Sequence, residues 1–367
     1  MMKIRPVLIH IFVLLLFSCS NDNPVPEPGE SIEMPVSIEI SKGKKQISRA
    51  TDHEWGMAGT CNADKVILLV FKGPKGAKQA DVKDFNYISR QILDCRESGE
   101  QRIARGTITG EADATYAVFA IAYNNAAEAA RFTITDTTTT YGNVKIQLIP
   151  AAGGARPDSY YTPELFVGHV TSPGSTTWVF TADGKTRLGG VLYRAVGKCT
   201  FSVKDIPANI RKVEWITGEM TNYSNIYNPD MMFDEYPMAF PGSDKQLKKA
   251  SQVASAERGS LAEGVVSWNA VMESFFIPLK ESLFFIDATD DGGVITRYLV
   301  KCPDRWEYTI WIGIINVIVS EYKFSVAPNW LIEIAGTYSQ LKNSGNMVID
   351  LTEVTSEYDG GILPPAI

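Results

Sequence analysis

Short runs in which apolar and polar residues alternate recur along the chain, and this two-residue period restricts it to a fold built from strands. Alternation places one face of a strand in a core and the other in water. Residues 34–40 and 116–122 show it most clearly. Residues 66–71 are continuously apolar and are closed by Gly73-Pro74, the pattern of a strand buried on both faces. Runs of this kind at roughly ten-residue spacing predict an all-β protein made of sandwiches.

Further strands are predicted in both halves of the chain. They cover residues 132–135, 144–149, 190–203, 213–216, 275–279, 283–287, 294–300, 308–319 and 330–334. Asp290 to Gly293 has the composition of a hairpin turn. Residues 81–95 place Val82, Phe85, Ile88 and Ile92 at helix-like spacing, and the polar residues 245–257 read as a surface excursion.

The length of the chain predicts two domains, because 367 residues exceed what one core usually supports. Residues 150–164, rich in Ala, Gly and Pro, are the best linker candidate. We therefore expect a first sandwich over residues 34–168 and a second over residues 169–345. Residues 346–367 then form a C-terminal strand and tail.

The N-terminus has the pattern of an export signal. Lys3 and Arg5 precede an apolar run over residues 7–17. The run is too short to cross a bilayer, which needs about 20 apolar residues, so residues 1–18 read as a cleaved signal.

Cys19 follows the apolar run directly and resembles the cysteine of the bacterial lipobox. The resemblance implies that the Cys19 thiol carries a diacylglycerol and becomes an acylated, palmitate-bearing N-terminus. The protein would then be a lipoprotein of the outer membrane, exposed at the cell surface. The alternative is an ordinary secretory signal in which Cys19 has no role.

Residues 19–33 predict a disordered acidic tether. Three prolines, four acids and no base cannot bury enough apolar surface to order the segment. In polyproline geometry it would reach on the order of 40 Å from the membrane.

Charge and motif content exclude several classes of function. Loss of residues 1–18 removes Lys3 and Arg5 and leaves 33 basic against 42 acidic residues, which argues against nucleic-acid binding. The mature chain has two histidines, His53 and His169, and none of the common catalytic or metal-binding motifs. Asp287, Asp290 and Asp291 lack the spacing of a calcium loop. We predict no catalytic residues, no cofactor and no metal.

Four further cysteines fit an oxidising compartment. Cys61, Cys95, Cys199 and Cys302 allow three pairings. The pairing Cys61–Cys95 and Cys199–Cys302 keeps each bridge within one predicted domain. The alternative is free buried thiols, which pack as small apolar side chains.

Three stretches, in this order, resemble the fimbrillin-like FimB/Mfa2 family of Bacteroidetes type V pilus subunits. The first combines residues 47–51 with the run at 62–71, and the second is the strand at 116–125, which ends on asparagines. The third is the arginine-centred stretch at 192–203, followed by Ile206-Pro207 and a strand at 210–215. The resemblance extends from the signal to about residue 345.

The resemblance implies two tandem transthyretin-like Greek-key sandwiches and assembly by β-strand exchange. In polymerising subunits of that family, an arginine-directed protease removes the lipidated first strand, and Arg49 is placed where that cut would fall. In anchor subunits the strand and the lipid stay. The alternative for Arg49 is a solvated loop residue that is not cleaved.

The other end of the chain is a candidate donor strand. Met347, Ile349 and Leu351 alternate with polar neighbours and precede a tail with Gly-Gly and Pro-Pro. The alternative is a last strand within the second domain, with a frayed end.

Three functions follow from these patterns. The first is a structural pilus subunit, an anchor or accessory, whose partners are other pilus subunits and, through lipid, the outer membrane, with a host or bacterial surface receptor as a further partner. The second is a glycan-binding surface lipoprotein of a polysaccharide uptake system. The third, a surface glycosidase or protease, has the least support because the sequence shows no catalytic constellation.

Overall fold

The structure is a computed structural model, and it describes residues 27–40, 46–47, 54–55, 61–98, 101–135, 140–149, 159–175, 177–183, 185–218, 223–225, 251–276, 283–300, 306–312, 315–321 and 331–344. Strands dominate these residues, and the predicted all-β fold is confirmed. In chain order the strands are β1 (Ser31–Ile40), β2 (Gln46–Ile47), β3 (Glu54–Trp55), β4 (Lys65–Gly73), β5 (Asn86–Ser98), β6 (Gln101–Glu111), β7 (Thr115–Tyr123), β8 (Phe132–Thr135), β9 (Lys145–Leu148), β10 (Ser159–Tyr160), β11 (Phe166–Val170), β12 (Val179–Thr181), β13 (Leu188–Arg194), β14 (Gly197–Pro207), β15 (Ile210–Gly218), β16 (Tyr223–Asn225), β17 (Ser251–Glu257), β18 (Ser267–Phe276), β19 (Leu283–Asp290), β20 (Ile295–Val300), β21 (Trp306–Ile312), β22 (Ile315–Glu321) and β23 (Leu331–Thr337).

Helices are few and short among the described residues. They are α1 (Asn125–Glu128) and α2 (Tyr338–Ser344), with 3-10 helices at Gln79–Asp84 and Tyr141–Asn143. None of the described helices has the length and apolarity required to cross a membrane.

The first part of the chain forms a sheet that closes on itself. Its order is β11-β13-β1-β6-β5-β4-β7-β12, and β11 also pairs with β7. The inward side chains of these strands form one apolar core, to which β1 contributes alternate residues from Ile32 to Ile40. The alternation at residues 34–40 predicts a strand with one face in a core, and the apolar face of β1 lies in this core.

Strands β4 and β7 are buried on both faces, as the apolar run at 66–71 predicts. Val66, Leu68 and Val70 face the interior of the closed sheet. Ile67 and Leu69 belong to a second apolar cluster on the outer face. A strand covered on both sides has no polar face to present, so its sequence shows no alternation.

The later part of the chain forms a second two-layered unit. One layer is the sheet β10-β17-β15-β19-β20 and the other is β18-β14-β23. Phe201, Trp215 and Phe284 pack between the layers, with ring centroids 5.0–6.0 Å apart. The turn predicted at residues 290–293 is confirmed, because Gly293 has a φ of 84° and its N–H donates to the carbonyl of Asp290.

The structure corrects the expected division of the chain. The boundary expected between residues 168 and 169 falls inside β11, and β11 to β13 all pair in the first sheet. The first unit therefore extends to Arg194. The linker expected at 150–164 contains β10, which pairs with β17 of the second unit. Composition identifies the Gly- and Pro-rich stretch, but it does not show that β11, β12 and β13, which follow that stretch, pair in the first sheet.

Two local predictions are also wrong. Residues 81–84 are the end of a 3-10 helix, and residues 86–95 belong to β5 instead of a helix. The three-residue spacing of Val82 and Phe85 suits the 3-10 turn, which buries both side chains. Ser31 to Glu33, placed in the tether, are already part of β1. Glu27 to Glu30, also placed in the tether, form a turn bonded to the sheet, since the Gly29 N–H donates to the carbonyl of Ala112 and the Ala112 N–H donates to the carbonyl of Glu30.

Candidate functional site

Strand β1 lies in the middle of the first sheet, between two strands that come from distant parts of the chain. It is antiparallel to β6 over its whole length, from Ser31 opposite Glu111 to Ile40 opposite Arg102. On its other side it is parallel to β13, from Val36 opposite Leu188 to Ile40 opposite Leu192. The gap between β6 and β13 is thus a groove of strand width that β1 fills.

The groove provides space for particular side chains of β1. Met34 and Ile38 are fully buried. A Cβ on Gly110 would lie 2.8 Å from the terminal methyl of Met34, and a Cβ on Gly190 would lie 3.4 Å from the Ile38 Cδ1. Gly110 thus makes room in β6 for the side chain of Met34, whereas Gly190 first makes room for the backbone of β11, because an added Cβ would lie 2.9 Å from the His169 carbonyl oxygen.

Pro35 sits where the groove tolerates a residue without an N–H. Its side chain points outward, opposite Thr107 of β6. The pairing with β13 begins one residue later, at Val36. Proline removes a ladder hydrogen bond from an interior strand, so its position before the β13 ladder avoids that loss.

The free energy that β1 contributes is large compared with the stability of a domain. Five inward side chains, Ile32, Met34, Val36, Ile38 and Ile40, are less than 9% exposed. At about 2 kcal/mol for each buried aliphatic side chain, their burial contributes about 10 kcal/mol as an upper estimate. Domains are stable by about 5–15 kcal/mol, so the groove requires an occupant.

The segment after β1 contains a short hairpin. Gln46 pairs with Trp55 and Ile47 pairs with Glu54, which forms β2 and β3. The connection between Ile47 and Glu54 includes Arg49, which lies outside the described residues. Removal of the chain up to Arg49 would take both β1 and β2 with it.

A buried ion pair lies at the end of the first unit. The Arg194 Nε donates to Glu164 Oε1 at 2.9 Å, and the side chains of Arg194 and Glu164 are 1% and 8% exposed. The guanidinium carbon also lies 4.9 Å from the centroid of the Phe166 ring. Nearby, burial raises the pKa of Glu128, which is paired with Arg131. Arg194 is the arginine that centres the third family-like stretch, and the structure gives it a packing role at the end of the first unit.

A second buried polar group is His169 on β11. Its ring lies 3.9 Å, centroid to centroid, from that of Trp178, and its Nε2 is hydrogen-bonded to the Tyr141 hydroxyl. Burial lowers the pKa of His169 to about 3, so the ring is neutral at physiological pH. The rings of Trp178, Tyr141 and Phe119 pack around it, which agrees with a packing role.

The described cysteines are buried. Cys61 and Cys95 are free thiols, and Cys199 is buried in the second unit. Burial raises the pKa of Cys61 and raises that of Cys95 to about 11, so both thiols are protonated and unreactive in this state. Cys61 and Cys95 are separate thiols in this structure, which is the alternative to a Cys61–Cys95 bridge. Cys302 lies outside the described residues, so the Cys199–Cys302 bridge stays a prediction.

Several predicted site residues fall outside the part of the chain that the structure describes. They are Cys19, Arg49, Met347, Ile349 and Leu351. Within the described ranges no group of three or more histidine, cysteine and acidic side chains could hold a metal ion. Sequence reasoning missed Gly110, Gly190 and the partner of Arg194, because each acquires its role only from strand pairing between distant segments.

Comparisons with known proteins give matches among solved structures alone. No family model matches the chain, and no curated protein sequence matches it. A candidate adhesin from Bacteroides ovatus aligns with 12% identity and a TM-score of 0.42, covering 90% of this chain and 96% of that one.

Two fimbrial proteins of Porphyromonas gingivalis are among the matched structures. The fimbrial anchor protein Mfa2 shares 16% identity with a TM-score of 0.38 and covers 72% of this chain and 81% of its own. The tip fimbrial protein Mfa3 shares 9% identity with a TM-score of 0.35, over 83% and 94% of the two chains. At these identities the role of a residue cannot be transferred, so roles rest on the geometry of this chain.

Proposed function

We propose that the protein is a structural, non-enzymatic subunit of a cell-surface pilus, most simply its membrane anchor. It is held to the outer membrane by lipid on Cys19 and joins other pilus subunits by β-strand exchange. The observation that carries the proposal is the position of β1, a separable N-terminal strand that fills a groove between β6 and β13.

The groove that β1 fills can be occupied by a strand from another subunit. β1 precedes the hairpin of β2 and β3 in the chain, and the turn before it is bonded to residue 112. An incoming strand would regain the ladder hydrogen bonds and refill the apolar pockets that β1 occupies. It would need apolar side chains at alternate positions, as β1 has.

The C-terminal segment of the chain has that pattern. Met347, Ile349 and Leu351 repeat the spacing of Met34, Val36 and Ile38. The partner in this proposal is the equivalent groove of another pilus subunit, which would accept residues 346–354 as a donor strand. The segment lies outside the described residues, so the support for it is the sequence pattern.

The anchor role depends on retention of β1 and of the lipid. The turn at Glu27–Glu30 is bonded to the sheet through residue 112. At about 3.1 Å per residue, the eight residues from Cys19 to Pro26 would hold the sheet within about 25 Å of the membrane surface. A short connection suits the base of a pilus, and a released stalk subunit would not need one.

A glycan-binding surface lipoprotein finds less support. Sugar platforms need exposed aromatic rings, whereas Trp178 and Trp215 are buried. Among the side chains whose exposure the structure describes, Tyr161 is the one large aromatic side chain that is substantially exposed.

The N-terminus of the native protein tests the proposal. Mass spectrometry of protein from native outer membranes should find acylated Cys19 joined to residues 20–49. Cys19→Ala should abolish the incorporation of labelled fatty acid and remove the protein from the detergent phase, and Cys61→Ala serves as the matched control. A mature protein that begins at Ala50 and runs in high-mass ladders would replace the anchor role with that of a polymerising subunit. An unacylated monomer in the soluble fraction would contradict the proposal.

A further inference from the structure

Strand β5 exposes two isoleucines with an arginine between them. Ile88 and Ile92 are 49% and 54% exposed. Arg90 lies opposite Leu69 of β4, which belongs to the outer apolar cluster, so this row of β5 points away from the interior of the closed sheet. Single exposed apolar side chains are common on protein surfaces, but two in one row beside a cation form a feature that a partner can bind.

Two further arginines extend this row into a cationic face. Cys95 of β5 and Ala104 of β6 are paired and point into the closed core. Their neighbours Arg96 and Arg105 therefore point outward, because side chains alternate along a strand. Like Arg90 they are exposed, and none of the three forms an ion pair with a residue that the structure describes. We call this set the β5–β6 face: Ile88, Arg90, Ile92, Arg96 and Arg105.

The acids nearest to the β5–β6 face do not neutralise it. Asp94, in the same row of β5, is paired with Lys65. Glu33 and Glu39 belong to β1, which lies on the other side of β6 from β5. The whole chain has 35 basic and 42 acidic residues, so a face with three unpaired arginines locally reverses the sign of its charge.

The face begins at the end of the sheet where the chain enters from its N-terminus. Lys72 lies opposite Asn86, the first residue of β5. The Lys72 ammonium bonds to Glu111 at 2.6 Å, and Glu111 lies opposite the first residue of β1. At about 3.3 Å per residue, Ile92 lies about 20 Å further along β5 than Asn86. The connection from the lipid to the first turn would reach about 25 Å, so a membrane that holds the lipid is within range of the face.

We propose that the β5–β6 face docks the first unit onto an anionic lipid surface. Its guanidinium groups bind headgroup phosphates, and Ile88 and Ile92 enter the boundary between the headgroups and the acyl chains. A cation held at such a surface raises the binding constant by a factor of about five. The inference rests on the proposed membrane location of the protein, but the contact itself needs no lipid on Cys19.

Vesicle binding by the unacylated chain tests the face separately from the anchor. The mature chain from residue 19 with Cys19→Ala carries no acyl group, so its cosedimentation with vesicles measures the face alone. We expect it to bind vesicles that contain phosphatidylglycerol, to bind phosphatidylcholine vesicles about 100-fold more weakly because three cations no longer contribute, and to lose binding as salt is added.

Substitutions on the face separate its charged and apolar contributions. Arg90→Gln and Arg96→Gln should each weaken binding to the anionic vesicles by about fivefold. Ile92→Ser should also weaken binding but leave its salt dependence unchanged, because it removes an apolar contact alone. Arg211→Gln makes the same change in net charge on an exposed residue of β15 in the second unit. It is the matched control and should bind like the parent chain.

Three outcomes would overturn the proposal. A chain that is folded by circular dichroism and does not bind phosphatidylglycerol vesicles removes the contact. Binding that is the same in the parent chain, Arg90→Gln and Arg96→Gln places another surface against the lipid. Binding to soluble polyglutamate that both arginine variants lose, with no binding of the parent chain to vesicles, assigns the face to an acidic protein surface instead. None of these outcomes bears on acylation of Cys19, which the incorporation of labelled fatty acid measures.

Discussion

Buried ionisable residues make the stability of this fold depend on pH, and His169 is the clearest case. Its ring is enclosed by Trp178, Tyr141 and Phe119. Burial lowers its pKa from 6.5 to about 3 in the folded chain. The folded state therefore favours the neutral ring, whereas the unfolded chain binds a proton as the pH falls through 6.5.

We predict that this histidine contributes stability above pH 6.5 that is lost progressively as the pH falls toward 3. The slope is about 1.4 kcal/mol per pH unit, so the free energy of unfolding should fall by about 2 kcal/mol between pH 7 and pH 5. Urea denaturation at both values measures it. His169→Gln should flatten this dependence and His53→Gln should leave it unchanged. Equal slopes for the wild type and His169→Gln would contradict the assignment.

The ion pair of Arg194 and Glu164 gives a second prediction at this scale. Arg194→Met leaves the Glu164 carboxylate buried without its partner, so it should cost about 3–5 kcal/mol in the free energy of unfolding. Adding Glu164→Leu should recover part of the loss. Lys75→Met, which breaks the exposed pair with Asp113, is the control and should cost less than about 1 kcal/mol. If Arg194→Met lowers the free energy of unfolding no more than Lys75→Met does, the ion pair of Arg194 and Glu164 does not stabilise the end of the first unit.

At the scale of the strand, the sequence predicts the buried face only where the opposite face lies in water. The alternation at 34–40 is readable because β1 has one face in the core and the other in water. The helix predicted at 81–95 from apolar spacing is wrong, because Ile88 and Ile92 are apolar but largely exposed on β5. The position of β1 between β6 and β13 was not predictable from the sequence, because strand neighbours separated by more than sixty residues leave no local signal.

The groove gives a prediction at the scale of the element. Ile38→Asp places a carboxylate in the closed core and should destabilise the protein by about 4 kcal/mol or more. Ser37→Asp, one residue earlier on the exposed face, should change stability by less than about 1 kcal/mol. Chemical denaturation of both variants measures the difference. If the two substitutions cost the same, β1 does not fill the groove in solution.

At the scale of the molecule, the two units share apolar contacts and are not simply joined by a linker. One cluster includes Leu69 and Phe119 on the outer face of the first sheet together with Phe201 and Trp215 of the second unit. Strand pairing also crosses the division, because β16 pairs with β9 and β10 pairs with β17. Composition suggested two independent sandwiches, because the Gly- and Pro-rich stretch resembles a linker. Composition does not show that β11 and β13, which follow this stretch, pair with strands that precede it.

This shared cluster predicts that the halves stay together when the stretch between them is cut. A protease site introduced at residues 152–156 should be cleaved to give two fragments on a denaturing gel. The fragments should nevertheless elute together under native conditions, because separation would expose the apolar cluster and break the ladders of β9 with β16, of β1 with β13 and of β7 with β11 and β12. Calorimetry of the uncut protein should show one transition, as expected for a shared core. Two separately eluting fragments, each with its own transition in the uncut chain, would establish independent domains instead.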